Sequence, residues 1–279
     1  MRISPSCAVC LYDKQAHLSD DPVYLGKIKD MLDNRSPEDT TPYMVYRFGL
    51  LFEERFGKQP SYEKVKKQYN DLVISMENGL RKKIEEAADP VKMSLVYARI
   101  GNYIDFGALN DVNEETFLSL FDDIQLNEAE LKTMDSFLEQ CQKAKSFLLI
   151  TDNCGEIVCD KLFVEQLHKR FPELHIHVMV RGGEALNDAT LKDALYIGMD
   201  QVAELCSNGK ALAGTIYEFL SEEAKQVLDT SDVILAKGQA NYESLSGQGR
   251  HIFYSFLCKC DYFVRKFNVP KLSGMFIEE

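Results

Sequence analysis

Near residue 145 the period of the chain changes, and that change constrains the fold more than any other feature. Before it, apolar residues recur at helical spacing, as in Tyr43, Tyr46, Phe48, Leu50, Leu51 and Phe52, then Val65, Tyr69, Leu72, Val73 and Met76. After it, short runs rich in β-branched or aromatic residues at 147–151, 175–180 and 232–236 alternate with helical stretches at about 155–170, 189–198 and 211–229. Weaker strand candidates lie at 201–206 and 251–259. Alternating strand and helix predict an α/β fold: a Rossmann-like, mostly parallel sheet flanked by helices and joined by right-handed crossovers. Residues 1–142 then form an all-helical bundle or cap, and residues 143–279 an α/β domain.

Helix starts are marked in the first half. Ser36-Pro37, Thr41-Pro42 and Asp89-Pro90 each set a capping side chain before a proline that a first helical turn tolerates. Asn127 followed by Glu130 has the spacing of a capping box.

Charge narrows the choice of partners. The 279 residues carry 44 acidic and 32 basic side chains, a formal net charge of −12, which argues against a nucleic-acid binder because such proteins concentrate lysine and arginine on one face. The short basic runs Glu63–Lys67 and Arg81–Glu86 are interleaved with glutamate, as expected of solvated helix faces. No apolar stretch approaches the roughly 20 residues that span a bilayer, and MRISPSCAVC lacks the apolar segment of a signal peptide, so a cytoplasmic location is expected. Eight cysteines in a chain of this size are expected to stay reduced. Cys7-x-x-Cys10 has the spacing of a zinc clip, but with no second CxxC it also reads as small apolar packing at a helix start.

Three polar clusters follow three of the predicted strands: Asp152-Asn153-Cys-Gly-Glu156, Arg181-Gly-Gly-Glu-Ala-Leu-Asn187-Asp188, and Lys237-Gly238-Gln239-Ala-Asn241-Tyr-Glu243. In an open parallel sheet such clusters converge at the carboxyl ends of the strands. Asp152, Asn153 and Asp188 offer carboxylate and amide oxygens, a ligand set for a hard divalent ion, and such an ion would relieve the repulsion between two acids in one crevice. Lys237 beside Gly238 would neutralise a bound anion. Together these groups suit phosphoryl transfer to a water whose pKa the cation lowers. Asp-Asn after a strand is equally an Asx turn, and Asn187-Asp188 a helix cap; spacing alone leaves both readings open. Gly101-Asn102-Tyr-Ile-Asp105 either ends a helix or supplies Asn102 and Asp105 as polar walls. Arg181 either binds substrate or pairs with acids, and Glu156, four residues before Asp160, is expected to support the site from behind.

Taken together, Asp152-Asn-x-Gly-Glu156 with Asp160, Arg181-Gly-x-x-x-x-Asn187-Asp188-Ala-Thr190, Lys237-Gly-Gln-x-Asn241-x-Glu243 and Gly101-Asn-x-Ile-Asp105 resemble the domain-of-unknown-function 89 family. Its members are also called damage-control phosphatases and are similar to the acidic-residue methyltransferase 1-like proteins. The resemblance runs over about residues 1–275, and the N-terminal CxxC and Lys259-Cys260 look like its prokaryotic branch. It implies a metal-dependent phosphatase (Mn, Ni, Co or Mg) acting on small phosphorylated metabolites such as sugar phosphates. The implied metal residues are Asp152, Asn153 and Asp188, with Lys237 catalytic. Asn102, Asp105, Arg181, Asn187, Gly238, Gln239 and Asn241 would line the substrate pocket, backed by Glu156 and Glu243. Glu184 stands where the family's second motif has proline, and Ala240 where the third often has glycine. The alternatives are a non-catalytic phosphometabolite sensor and a carboxyl methyltransferase, although Asp152-Asn-Cys-Gly lacks a glycine-rich adenosylmethionine loop.

Overall fold

A computed structural model describes residues 1–103, 120–121 and 126–279. The first helices are α1 (Pro5–Leu18), α2 (Pro22–Asp33), α3 (Thr41–Phe56), α4 (Glu63–Glu85), α5 (Pro90–Gly101) and α6 (Glu128–Lys143). There follow β1 (Ser146–Ile150), α7 (Glu156–Arg170), β2 (His175–Val180), α8 (Leu191–Tyr196), β3 (Glu204–Ser207), α9 (Glu222–Thr230), β4 (Val233–Lys237), α10 (Gln239–Leu245), β5 (Phe253–Leu257), α11 (Asp261–Phe267) and β6 (Gly274–Glu278).

The six strands form one sheet in the order β3-β2-β1-β4-β5-β6, parallel except for β6. Strand side chains alternate between two dry faces, as a sheet covered by helices on both sides requires. Phe147, Leu149, Val178, Val180 and Leu235 enter one core with residues of α4–α7, while Leu148, Ile150, Met179, Ile234 and Ala236 enter the other with residues of α9–α11. A third cluster, built on Tyr24, Ile28, Met44 and Phe48, holds α1–α3 together. The helices before residue 143 are thus of two kinds: α1–α3 have their own core, and α4–α6 share that of the sheet.

Local signals explain most boundaries. Asp89 caps α5 by accepting from the amides of Val91 and Lys92, and Asn127 with Glu130 closes the capping box of α6. Thr40 rather than Thr41 caps α3, with Pro42 in its first turn. Ser36-Pro37 opens no helix: the Ser36 carbonyl accepts from the amide of Asp39 and closes a turn. The expected helix at 211–229 begins only at Glu222, where the Ser221 hydroxyl accepts from the amide of Ala224. The charged runs on α4 are mostly solvated, but Lys66 is buried and paired with Asp193 at 2.7 Å.

Candidate functional site

The chain leaves β1 toward β2 and β3 on one side and returns to β4 and β5 on the other, so the switch point lies between β1 and β4. Ligand crevices of open α/β sheets form there. The loops after β1 and β2 are joined at this point: the amide of Ala189 donates to the Asp152 carbonyl, and that of Cys154 to the Asn187 carbonyl, both at 2.8 Å. Asn153 and Asp188 form an isolated antiparallel bridge. Residues 35 apart in sequence therefore face one another across a rigid backbone contact.

Side chains tighten this arrangement. Arg181 donates from Nε to Asp188 Oδ2 at 2.6 Å, and its Nη2 stands 3.6 Å from Asp152 Oδ1, so one guanidinium ties both acids together. Asn102 donates from Nδ2 to Asp152 Oδ2 at 2.9 Å and to Glu156 Oε2 at 2.7 Å. It reaches that far because Gly101 lets α5 lie close on α7: a Cβ there would stand 3.1 Å from the Glu156 Cα. The Asn153 side chain donates to the same two carboxylates at 2.8 and 3.1 Å. Behind Asp152 the backbone of Gly238 has φ +79°, and a Cβ would come within 2.0 Å of Asp152 Oδ2.

Several expected pocket residues are turned inward. Lys237 is fully buried and gives its ammonium to the Ala98 carbonyl at 2.9 Å, Glu156 Oε1 at 2.6 Å and Asp160 Oδ1 at 2.7 Å. Those three acceptors match its three protons, so in this arrangement it does not point at the crevice as the sequence suggested. Burial alone would lower its pKa, but Asp160 and Glu156 more than offset that and hold it charged. Asn241 donates to the carbonyls of Thr151 and Lys237 at 3.1 and 2.7 Å and accepts from Arg181 Nη1 at 3.2 Å, joining β1, β4 and the Arg181 loop. The Gln239 amide lies between Glu243 and the amide of Lys259, and Glu243 is buried behind it. Glu184 accepts from the Ser61 hydroxyl at 2.9 Å and from the Tyr62 amide, tethering the second loop to the start of α4. Asp105 lies outside the described residues.

The site's charge balance can be counted. Among the described residues, Asp152, Glu156, Asp160 and Asp188 are buried together with Arg181 and Lys237, four carboxylates against two cations, a formal surplus of two negative charges. Burial, then Asp188, then Glu156 push the Asp152 carboxyl well above its usual range, and Arg181 and Lys259 oppose them only in part. An acid so placed resists ionising unless a further cation arrives. The oxygen-rich donor set and the uncompensated charge both fit a divalent ion. Lys259, half-buried just beyond β5, was missing from the sequence-based site; its charge acts on Asp152 from outside the buried cluster. In the sequence it was marked only by its place at the end of a strand candidate and by the Lys259-Cys260 pair of the family resemblance. A cavity of about 880 Å³ adjoins Arg181, walled also by Lys66, Asn70, Glu184, Thr190 and Asp193.

Cys7 and Cys10 lie one turn apart on α1, Cys7 half-buried and Cys10 exposed, and all eight cysteines are free thiols. No described helix is long and apolar enough to cross a membrane.

Residues 7–273 match the model of the damage-control phosphatase ARMT1-like domain. The chain belongs to that family. An Archaeoglobus fulgidus protein named a damage-control phosphatase is 29% identical over 287 residues, covering 96% of each chain. A Pyrococcus horikoshii damage-control phosphatase is 29% identical over 184 residues, 64% of this chain and 62% of that one. The crystal structure of a DUF89 family protein from Pyrococcus horikoshii matches 100% of this chain and 99% of its own with a TM-score of 0.81 at 21% identity, a likeness of fold. The six-stranded sheet with helices on both faces is the family's architecture in this chain.

Proposed function

We propose that the chain is a divalent-metal-dependent phosphomonoester hydrolase acting on small phosphorylated metabolites in the cytoplasm. The observation that carries this reading is the formal excess of two carboxylates over cations buried at the switch-point crevice of a damage-control phosphatase family member. Asp152, Asn153 and Asp188 would hold the ion; because the Asn153 Nδ2 is committed to carboxylates, its Oδ1 is the end that would face a cation. A Mn, Ni, Co or Mg ion held there would polarise the phosphoryl group and make a water nucleophilic near neutral pH.

The chain's own residues divide the remaining work. Arg181 Nη2 and Asn187 Nδ2 are buried donors with no hydrogen-bond acceptor among the described residues, and phosphate oxygens would satisfy both. Lys259 would meet the anion from the outer side. Lys237 acts through Glu156, which in turn fixes Asn102 and Asn153 around Asp152, and is a positioning residue. The cavity beside Arg181 is large enough for the rest of a small metabolite.

The test is direct. Protein stripped by a chelator and resupplied with Mn, Ni, Co or Mg should hydrolyse p-nitrophenyl phosphate, and Asp152→Ala should lower kcat at least about 100-fold while the melting transition persists. Activity that survives both the chelator and the substitution would refute the proposal.

A further inference from the structure

A second cluster of metal-binding character lies at the opposite end of the sheet. His175 and His177 are two apart on β2, so both rings project from the same face, and Glu204 on β3 is in direct register with His177. Their ligand atoms all lie within 4.8 Å of one another, the one such trio of His, Cys, Asp or Glu side chains among the described residues. His175 Nε2 stands 3.2 Å from Glu204 Oε2 and His177 Nδ1 stands 3.5 Å from the same oxygen. Around a tetrahedral zinc with bonds of roughly 2.0–2.1 Å, adjacent ligand atoms are about 3.3 Å apart. The separations of 3.2 and 3.5 Å bracket that edge.

We propose that His175, His177 and Glu204 form a second divalent-cation site for zinc or a similar imidazole-seeking ion, which would clasp the edge strand β3 to β2. Two nitrogens and one carboxylate oxygen favour such ions over Mg or Ca. His177 is half-buried, and Glu223 of α9 adds negative charge from beside it. Strand pairing supplies pre-organisation: β2 and β3 fix the three Cβ positions through their ladder, leaving only side-chain torsions to order. The site is separate from the carboxylate crevice, since His175 lies at the opposite end of the six-residue β2 from Arg181, about 20 Å along the strand. A clasp here would restrain a four-residue edge strand whose far end passes into Asn208, which accepts from the Gly182 amide at 2.7 Å beside Arg181.

The experiment counts zinc. Chelator-stripped full-length protein carrying Cys7→Ser and Cys10→Ser, which removes the CxxC pair, is dialysed against zinc and compared with the same chain also carrying His175→Ala and His177→Ala. The parent should retain one more equivalent than the histidine variant, and its copper-loaded form should show electron paramagnetic hyperfine coupling to two imidazole nitrogens. Glu204→Gln, which keeps both rings, should weaken that equivalent about tenfold or more. Equal zinc content in parent and histidine variant, or a copper spectrum without two-nitrogen coupling, would overturn the proposal. Because the readout is metal content rather than turnover, the result is independent of whether the crevice is a phosphatase.

Discussion

Gly238→Ala is the substitution that examines the crevice most sharply. The added Cβ would stand 2.0 Å from Asp152 Oδ2 and 2.1 Å from its Cγ, where carbon contacts normally begin at about 3.5 Å, so the carboxylate or the backbone of 238 must retreat by about 1.5 Å. The residue also holds φ +79° and ψ 156°, a region that side chains avoid at a cost of roughly 1–3 kcal/mol. Gly247 separates the two effects: it has φ +77° with nothing within 4 Å of where a methyl group would stand, so alanine there brings strain without a clash. Displacing a reacting group by about 1 Å costs roughly 100-fold in rate. Metal-supplemented p-nitrophenyl phosphate kinetics on Gly238→Ala should therefore fall about 100-fold or more with a lowered Tm, whereas Gly247→Ala should lose some stability and keep its kcat. A Gly238→Ala enzyme with the parent's kcat would show that Asp152 is not held where the reaction needs it.

Two further outcomes follow from buried charge. Lys66 pairs with Asp193 at 2.7 Å with both side chains largely buried, so Lys66→Met should destabilise the fold by roughly 3–5 kcal/mol in urea melts by stranding the carboxylate. Burial pushes the Glu243 carboxyl up from 4.5 to about 7, so the folded state binds a proton there that the unfolded state releases. That contribution is fully present below about pH 4.5 and is lost as the pH rises to 7. Glu243→Gln should abolish it, on the order of 3 kcal/mol by pH 8, flattening the pH dependence of stability across that window; an unchanged profile would contradict the burial of a proton-binding carboxyl.

How much of this was legible in the sequence depended on whether the deciding contact was local. His175–Val180 could be read as a strand because Ile176, Val178, Met179 and Val180 make it rich in β-branched and apolar residues before Arg181-Gly182 closes it, and β1 and β4 were found to within a residue or two for the same reason. β6 was missed: Gly274–Glu278 becomes a strand through antiparallel pairing with β5, a tertiary cause. Ser36-Pro37 misled because the signature of a helix cap is also that of a turn, and the side chain of Asp39 decided between them by accepting from the Ser36 amide. The site divides in the same way. That Asp152, Asn153 and Asp188 would meet followed from strand ends alone, while the Arg181 bridge to Asp188 and the inward turn of Lys237 depend on helices α5 and α7 and on the second loop, which no spacing encodes.

The two lysines near the crevice make opposite predictions, and their difference tests the charge argument as a whole. Lys237 is fully buried and pairs with both Glu156 and Asp160, which are also fully buried. Lys237→Met would strand both acids, and losing one partner of a buried pair costs roughly 3–5 kcal/mol. Its effect should therefore appear first as lost stability, with kcat falling because Glu156 no longer fixes Asn102 and Asn153. Lys259 is half-buried and acts on Asp152 from outside the cluster, and after its removal Arg181 still stands beside that acid. Lys259→Met should leave Tm nearly unchanged and act on phosphate binding, raising KM or the inhibition constant for inorganic phosphate. If the pattern were reversed, with Lys259→Met unfolding the protein and Lys237→Met changing only KM, then the ammonium that meets the phosphate would be the inner one, and the surplus of two charges would have to be balanced by another route.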